Sequence, residues 1–228
     1  RKRRTVIENA EEAVFEENKI EEQEVVFLMD RFGYARTVDA ATYERNKEAA
    51  DSENKYVLHA MNTGKLCVFT AGGKMHQIKV LDLPHGKFRD KGLPIDNVSN
   101  YDSTAEEIVY ICDAEQTRYA KLLFATKQGM IKKVDGQEFQ VAKRTIAATK
   151  LQADDAVVSI QVITDNQQVV LQTKDGYFLR FAADGVLDKS QVVMAYKIIE
   201  KDSKEVVAQG KTDLKKVRNG KFFKIKFD

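Results

Sequence analysis

Short apolar runs separated by turn residues dominate the chain from residue 25 onward. The runs are rich in Val, Ile, Phe, Tyr and Thr, which are residues enriched in β-strands. No stretch keeps a 3.6-residue apolar period over about twelve positions, as an amphipathic helix of ordinary length does. The pattern therefore predicts an all-β protein.

A unit made of a strand, a tight turn and a second strand recurs four times. The four copies cover residues 25–36, 56–68, 121–133 and 169–181. In each copy the turn closes on a glycine, and these glycines are Gly33, Gly64, Gly129 and Gly176. Glycine is expected there because a two-residue hairpin turn requires positive φ, which other residues adopt only at a steric cost. The repeat therefore predicts four hairpins of similar structure.

A single hairpin cannot bury its apolar face, so the copies must share a core, either as a sandwich or radially as propeller-like blades. The intervals between the glycines leave room for further strands, and residues 108–112 and 156–162 have strand-like composition. Four strands per repeat are therefore expected. That number favours blades over a simple sandwich.

The 228 residues carry a formal net charge of +2, which is too small to indicate a nucleic-acid partner by itself. The charge is unevenly distributed, because residues 5–24 are acidic and the bases dominate from residue 196 onward. No apolar run approaches the roughly 18 residues that a membrane span needs. We therefore expect a soluble, cytoplasmic protein.

The residues that most often carry chemistry are few and widely spaced. Cys67 and Cys112 lie in apolar stretches without a CxxC spacing, which favours buried thiols. His59, His76 and His85 show neither zinc-ligand spacing nor an H-E-x-x-H arrangement. We therefore expect no catalytic residues, no metal site and no cofactor.

Several segments are similar to a known family in both order and spacing. They are residues 3–5, 62–65, 77–84, 91–95, 123–133 and 173–177. Together they resemble the C-terminal β-pinwheel domain of bacterial type IIA topoisomerase A subunits, the subunits of DNA gyrase and topoisomerase IV. The resemblance covers about residues 1–186. It implies an N-terminal segment and acidic linker over 1–24, followed by a β-pinwheel DNA-binding domain over 25–186.

The resemblance implies an all-β, propeller-like β-pinwheel of four-stranded blades whose rim binds and bends duplex DNA without sequence preference. Such a domain presents a DNA segment for strand passage to the catalytic core of the same subunit, in an enzyme completed by the ATPase B subunit. The tyrosine that breaks and rejoins DNA lies in that core, not in this domain. We therefore expect a cytoplasmic, nucleoid-associated domain that is not itself an enzyme and does not contact a membrane.

Two departures from the family pattern refine this expectation. Gyrases have a glycine-rich basic box, Q-R-R-G-G-K-G, after the first blade, whereas this chain has a loop over 43–51 that contains Glu44, Glu48 and Asp51. The missing box favours topoisomerase IV, or a gyrase-like subunit that has lost strong wrapping. Residues 187–228 form the second departure, and we interpret them as a divergent, basic C-terminal β-element of three strands.

DNA wrapping requires positive side chains spaced along one edge, because phosphates are neutralised without any reading of sequence. In each repeat the bases cluster at or just after the turn glycine, and two more bases lie in a loop after Phe139 where the family commonly has a basic residue. The predicted DNA-binding residues are Arg31, Arg36, Lys65, Lys74, Lys127, Lys132, Lys133, Lys143, Arg144, Lys174 and Arg180.

Each of these interpretations has an alternative. Hairpin turns are polar in any soluble β-protein, so turn bases alone do not define a DNA site. Phe32, Tyr34 and Tyr177 flank turns, and we favour cross-strand packing for them over stacking on or insertion into DNA. The alternative function is a propeller-like protein-interaction module without DNA binding. A hydrolase built on a thioesterase-like tail is disfavoured, because no nucleophile and base lie there at usable spacing.

Overall fold

The computed structural model describes residues 20–164, 167–172, 178–182, 192–199, 206–214 and 223–224. Within these residues the chain forms sixteen β-strands, arranged as four sheets of four strands each with antiparallel pairing inside every sheet. The helices are short, so the predicted all-β class with four-stranded blades is confirmed.

Each sheet is one blade. Blade 1 contains β1 (Glu24–Asp30), β2 (Tyr34–Asp39), β3 (Asn54–Met61) and β6 (Leu93–Pro94). Blade 2 contains β4 (Lys65–Thr70), β5 (Lys74–Lys79), β7 (Ile108–Asp113) and β10 (Thr145–Ala147). Blade 3 contains β8 (Lys121–Thr126), β9 (Met130–Asp135), β11 (Val157–Ile163) and β16 (Phe223–Lys224). Blade 4 contains β12 (Gln168–Gln172), β13 (Phe178–Ala182), β14 (Val192–Ile199) and β15 (Val206–Leu214).

Three short α-helices and three 3-10 turns connect the described strands. The α-helices are α1 (Ala40–Arg45), α2 (Lys47–Glu53) and α3 (Ala114–Thr117). The 3-10 turns are Val80–Asp82, Ile95–Val98 and Gly136–Phe139. Both α1 and α2 overlap the segment 43–51 that was predicted to be a loop, and the structure corrects that prediction.

Three hairpins, β1–β2, β4–β5 and β8–β9, have turns of the same geometry. Each turn is a three-residue loop whose last residue is a glycine with φ near +80°, at Gly33, Gly73 and Gly129. The glycine N–H donates to the carbonyl of the residue that ends the first strand, at 3.0 to 3.2 Å. This arrangement is the type I turn followed by a residue in the left-handed region that is common in three-residue hairpins.

The second hairpin differs from the one predicted. Gly64 connects β3 of blade 1 to β4 of blade 2 and does not have positive φ, whereas the turn of blade 2 closes on Gly73. Gly33 and Gly129 close their hairpins with the predicted positive φ, but in three-residue loops and not in the two-residue turns that were predicted. Gly176 lies outside the described residues. The error arose because two successive strands with a glycine between them have the same pattern whether they pair with each other or belong to neighbouring blades.

The blades exchange strands. In blade 1 the order across the sheet is β3-β1-β2-β6. The strand β6 thus belongs to blade 1, although it follows the blade 2 hairpin in the chain. The chain therefore leaves the blade 2 hairpin, crosses back to blade 1 through residues 83–92, and returns to form β7. Residues 140–144 make the equivalent crossing from the blade 3 hairpin to β10 of blade 2. We call residues 83–92 strap 1 and residues 140–144 strap 2.

The inner and outer edges of the blades follow from contacts between sheets. β7 contacts both β3 and β11, so these three strands meet at the inner edge. The strands β6, β10 and β16 occupy the opposite edge of their sheets. The straps lead into β6 and β10, and therefore lie along the outer edge of blades 1 and 2.

Two apolar layers hold the blades together. Leu66 and Val68 of β4 face the core shared with blade 1, while Cys67 and Phe69 on the same strand face the core shared with blade 3. Successive side chains of a strand point to opposite faces, so a strand buried on both sides has a continuous apolar sequence. The run 66–69 has this property, and it places blade 2 between its two neighbours.

The first blade has one face that no other described blade covers. Val26 and Leu28 of β1 point away from blade 2 and pack against Tyr43 of α1 and Ala50 of α2. The Tyr43 hydroxyl donates to Asp51 Oδ1 at 2.9 Å, which ties α1 to the end of α2. The helix pair α1–α2 is therefore a cap on the outward face of blade 1.

Three described strands, β14, β15 and β16, lie in the segment 187–228. β14 pairs with β13 and then with β15, which completes the fourth sheet without a strand from another blade. β16 pairs with β9 through Phe223 and Ile131, at the position that β6 and β10 hold in blades 1 and 2. These strands thus complete blades 3 and 4.

Candidate nucleic-acid interface

Strap 1 is held along β2 by backbone and side-chain hydrogen bonds. The Thr37 N–H donates to the Pro84 carbonyl at 2.9 Å, and the Gly86 N–H donates to the Thr37 carbonyl at 3.1 Å. Further along, Arg36 Nη2 donates to the Phe88 carbonyl at 3.1 Å. The path of strap 1 is therefore fixed by β2.

Strap 1 carries three exposed bases, Lys87, Arg89 and Lys91. The Lys91 Nζ lies 4.3 Å from the centroid of the Tyr34 ring, within the range of a cation–π contact. Among the described residues none of the three bases forms an ion pair. Sequence reasoning missed all three, because strap 1 contains no turn glycine of the repeat. The signal that could have found them was the alternation of bases over residues 87–91.

Strap 2 provides the equivalent surface on blade 2. Lys143 and Arg144, which were both predicted as DNA contacts, are exposed there. The Gln77 N–H donates to the Arg144 carbonyl at 2.8 Å, and the Gln77 side chain donates to the Phe139 carbonyl at 3.3 Å. Lys150, which follows β10, is also exposed. The two straps therefore place exposed bases on the outer edge of two consecutive blades.

The hairpin tips carry fewer bases than predicted. Arg31 and Lys127 lie in the tips of blades 1 and 3, and both are exposed. Lys65 is exposed but begins β4, so the corrected position of the turn removes it from a hairpin tip. Lys74 follows the blade 2 turn and forms an ion pair with Glu106, which a phosphate would have to displace.

Two of the predicted contacts, Arg36 and Lys132, are buried, with 8% and 4% of their surface exposed. Both occupy the third position after the turn glycine of their hairpin, and each side chain holds a neighbouring segment. Arg36 binds the Phe88 carbonyl of strap 1, and Lys132 Nζ donates to the Ala148 carbonyl at 3.1 Å while lying 4.9 Å from the Phe124 ring centroid. The structure assigns these two bases to the support of the outer edge.

The remaining predicted DNA contacts are Lys133, Lys174 and Arg180. Lys133 is half-buried in β9. Lys174 lies outside the described residues. Arg180 lies in β13, where its Cα is paired with Val170 of β12 and Lys197 of β14.

The aromatic residues near the first turn differ from one another. Phe32 is 78% exposed, so the prediction that it packs across strands is wrong. Tyr34 is half-buried beneath the Lys91 ammonium group. Tyr177 lies outside the described residues. The reason for the error is the three-residue turn, which places Phe32 at the tip and not on a strand.

Burial lowers the pKa of Lys132 to about 8, and the Glu138 carboxylate opposes this shift. The unfolded chain binds a proton at this amine up to about pH 10.4. The unfolded state therefore binds more protons than the folded state between about pH 8 and 10, and stability must rise with pH across that window.

We expect the free energy of unfolding to increase from pH 7.5 to pH 10 by about 1 kcal/mol more in the wild-type protein than in Lys132→Met, allowing for screening by nearby water. Urea unfolding of both proteins at the two pH values measures the difference. Other groups titrate equally in both proteins. If the free energy of unfolding changed by the same amount between the two pH values in both proteins, the pKa assigned to Lys132 would be contradicted.

Cys67 and Cys112 are free, buried thiols, as predicted, and they are register partners across β4 and β7. The contact with the Cys112 thiol, together with burial, raises the pKa of Cys67. Both residues therefore act as apolar core side chains. Across the described ranges, no three His, Cys, Asp or Glu side chains are grouped so that they could hold a metal ion. No helix of this part of the chain is both long and apolar enough to cross a membrane.

Four-stranded antiparallel blades that exchange outer strands, with bases on the connecting straps, define a β-propeller-type domain of the pinwheel class. A family profile described as "DNA gyrase C-terminal domain, beta-propeller" matches residues 120–164 and 167–198. The chain is 28% identical over 181 residues to the DNA gyrase A protein of Lawsonia intracellularis, and 27% identical over 192 residues to that of Clostridium acetobutylicum. The matches cover 75% and 78% of this chain. The chain spans only 22% and 23% of the length of these two relatives.

Solved structures show the same fold. The C-terminal domain of DNA topoisomerase IV superposes with a TM-score of 0.66 at 20% identity, covering 86% of this chain and 73% of that one. The E. coli ParC C-terminal domain superposes with a TM-score of 0.58 at 16% identity, covering 72% of this chain and 66% of that one. The predicted resemblance to the C-terminal domain of a bacterial type IIA topoisomerase A subunit is therefore confirmed. What the chain resembles is a C-terminal domain and not a catalytic domain.

Proposed function

We propose that this chain binds and bends duplex DNA along the outer edge of its blades, without sequence preference. In the complete subunit it would present the bound segment for strand passage to the catalytic core, together with the ATPase B subunit, in the bacterial cytoplasm. The observation that carries the proposal is the group of five exposed bases on the two straps: Lys87, Arg89, Lys91, Lys143 and Arg144.

The straps are suited to phosphate binding for a physical reason. DNA presents a regular line of charges, so a protein that holds several bases on fixed backbone neutralises phosphates and releases their counterions. Strap 1 is hydrogen-bonded to β2, and strap 2 to Gln77 of β5, so the backbone that carries the bases is already ordered. Preordered contacts lose less conformational entropy on binding than flexible ones. The small net charge of +2 is compatible with this proposal, because the local distribution of charge determines the contacts.

The helix pair α1–α2 supports a choice within the family. Where gyrases have a glycine-rich basic box, this chain has a folded cap that contains Glu44, Glu48 and Asp51. A returning DNA strand would be repelled by these carboxylates. We therefore propose a topoisomerase IV-like subunit, or a gyrase-like subunit that bends DNA without strong wrapping.

Binding of random-sequence duplex DNA at several salt concentrations tests the proposal. Because each neutralised phosphate contributes about −0.9 to the slope of log affinity against log salt, five contacts predict a slope of about −4 to −5. Two duplexes of unrelated sequence should bind with similar affinity. Absence of binding at low salt, or a slope near zero, would contradict the proposal and would favour the protein-interaction module.

A further inference from the structure

The tip of the first hairpin presents an aromatic side chain that contributes to no described core cluster. Phe32 is 78% exposed, although burial of a phenylalanine side chain is favourable. The equivalent tips of blades 2 and 3 have the sequences Ala71-Gly72-Gly73 and Lys127-Gln128-Gly129. Blade 1 is therefore the one blade among the three with described tips that carries an aromatic ring there.

The tip that carries Phe32 is held by hydrogen bonds on both sides. Asp30 Oδ1 accepts from the Phe32 N–H at 2.8 Å and from the Tyr34 N–H at 3.0 Å. The Gly33 N–H donates to the Asp30 carbonyl at 3.2 Å, while the Gly33 carbonyl accepts from the Ile95 N–H at 2.9 Å. These bonds fix the backbone on both sides of the ring, so inserting the ring into a ligand would cost little backbone entropy.

The surroundings of Phe32 are basic. The Arg31 guanidinium lies 6.0 Å from the Phe32 ring centroid, and Lys91 of strap 1 lies over the neighbouring Tyr34. The only carboxylate of the tip, Asp30, accepts two backbone N–H groups. An apolar ring beside basic side chains matches the chemistry of a DNA base step, which has an apolar interior between two phosphate chains.

We propose that Phe32 inserts between adjacent base pairs of the bound duplex and kinks it at blade 1. Apolar wedges on DNA-bending proteins act in this way, and the extra contacts that the bend allows offset the cost of unstacking the base pairs. The inference rests on the proposed function, because the straps must first hold the duplex. It adds that bending is concentrated at one blade and does not spread evenly along the outer edge.

The chain contains no tryptophan, so one introduced tryptophan reports on a single position. We expect the fluorescence of Phe32→Trp to fall more than twofold on saturation with a duplex that has a central TA step, because that step unstacks easily. We expect quenching by acrylamide to decrease at least threefold in the same complex. The matched control is Tyr119→Trp, at a position that is 82% exposed beside Arg118 but lies before β8, at the end of blade 3 opposite its tip.

The Phe32→Ala variant provides a second measurement, on duplexes labelled at both ends for energy transfer. We expect it to bend DNA by less than half the wild-type angle while the salt slope of binding stays unchanged, and we expect Tyr119→Ala to bend DNA normally. Unchanged tryptophan emission and unchanged bending in a complex that still forms would overturn the wedge alone. Failure of the wild-type protein to bind duplex DNA would overturn the proposed function as well, so the two failures are distinguishable.

Discussion

Replacing Lys87, Arg89 and Lys91 together with glutamine is expected to weaken duplex DNA binding by about a hundredfold or more at 0.1 M salt. Each phosphate contact contributes about 0.9 to the magnitude of the salt slope. At 0.1 M salt, tenfold below 1 M, three contacts therefore contribute about 2.7 logarithmic units of affinity. All three side chains are exposed on strap 1 and make no described ion pair that their removal would break. The substitution also removes the contact of Lys91 with the Tyr34 ring, worth about 0.5–1 kcal/mol at an exposed site. The fold should therefore be kept, and the magnitude of the salt slope should fall by about 2.7.

A matched variant separates position from total charge. Arg45, Lys47 and Lys55 are also exposed, but they lie on α1, α2 and β3 and not on a strap. Replacing these three with glutamine takes the formal net charge from +2 to −1, as does the strap 1 variant. We expect a loss of less than tenfold for this control. Equal losses in the two variants would show that overall charge, not strap 1, determines binding.

Replacing Phe69 with alanine is expected to lower the free energy of unfolding by about 3–5 kcal/mol, the range seen when large buried aromatic residues are removed from cores. Phe69 is 1% exposed, and its ring centroid lies 5.0 Å from that of Phe139 and 5.8 Å from that of Phe124. These three rings form the centre of the layer between blades 2 and 3, so the cavity left by the substitution cannot be filled by a small shift of one strand.

Urea unfolding of Phe69→Ala beside Tyr119→Ala provides the test. The control removes an aromatic ring of similar size that is 82% exposed, so we expect a change of less than about 1 kcal/mol. If Phe69→Ala also changed stability by less than about 1 kcal/mol, blades 2 and 3 would not share the packed layer described above.

Much of the fold could be predicted because strands alternate their faces. The run 66–69 is apolar at every position, and burial on both faces explains why. Strand pairing was harder to predict. The segment 56–68 has the pattern of a hairpin, but β3 and β4 belong to different blades. Only the pairing of β3 with β1, and of β4 with β5 and β7, distinguishes the two cases.

The candidate site was also predicted only in part, because its position depends on strand pairing. Lys143 and Arg144 were identified from their place after Phe139, and both lie on strap 2. Lys87, Arg89 and Lys91 were missed because strap 1 reaches the outer edge only through strand exchange, a property of the three-dimensional pairing. Arg36 and Lys132 were included because a strand position after a turn does not reveal which face of the sheet will be covered.

The cap formed by α1 and α2 has a topological consequence for the bound DNA. Because the cap covers the outward face of blade 1, no other described blade packs there, and the described series of blades begins at blade 1. On the proposed function, a duplex that follows such a series enters at one end and leaves at the other without passing over itself. It would therefore be curved but would contain no self-crossing. A nicked circle sealed while bound would have nearly the linking number of one sealed without the protein.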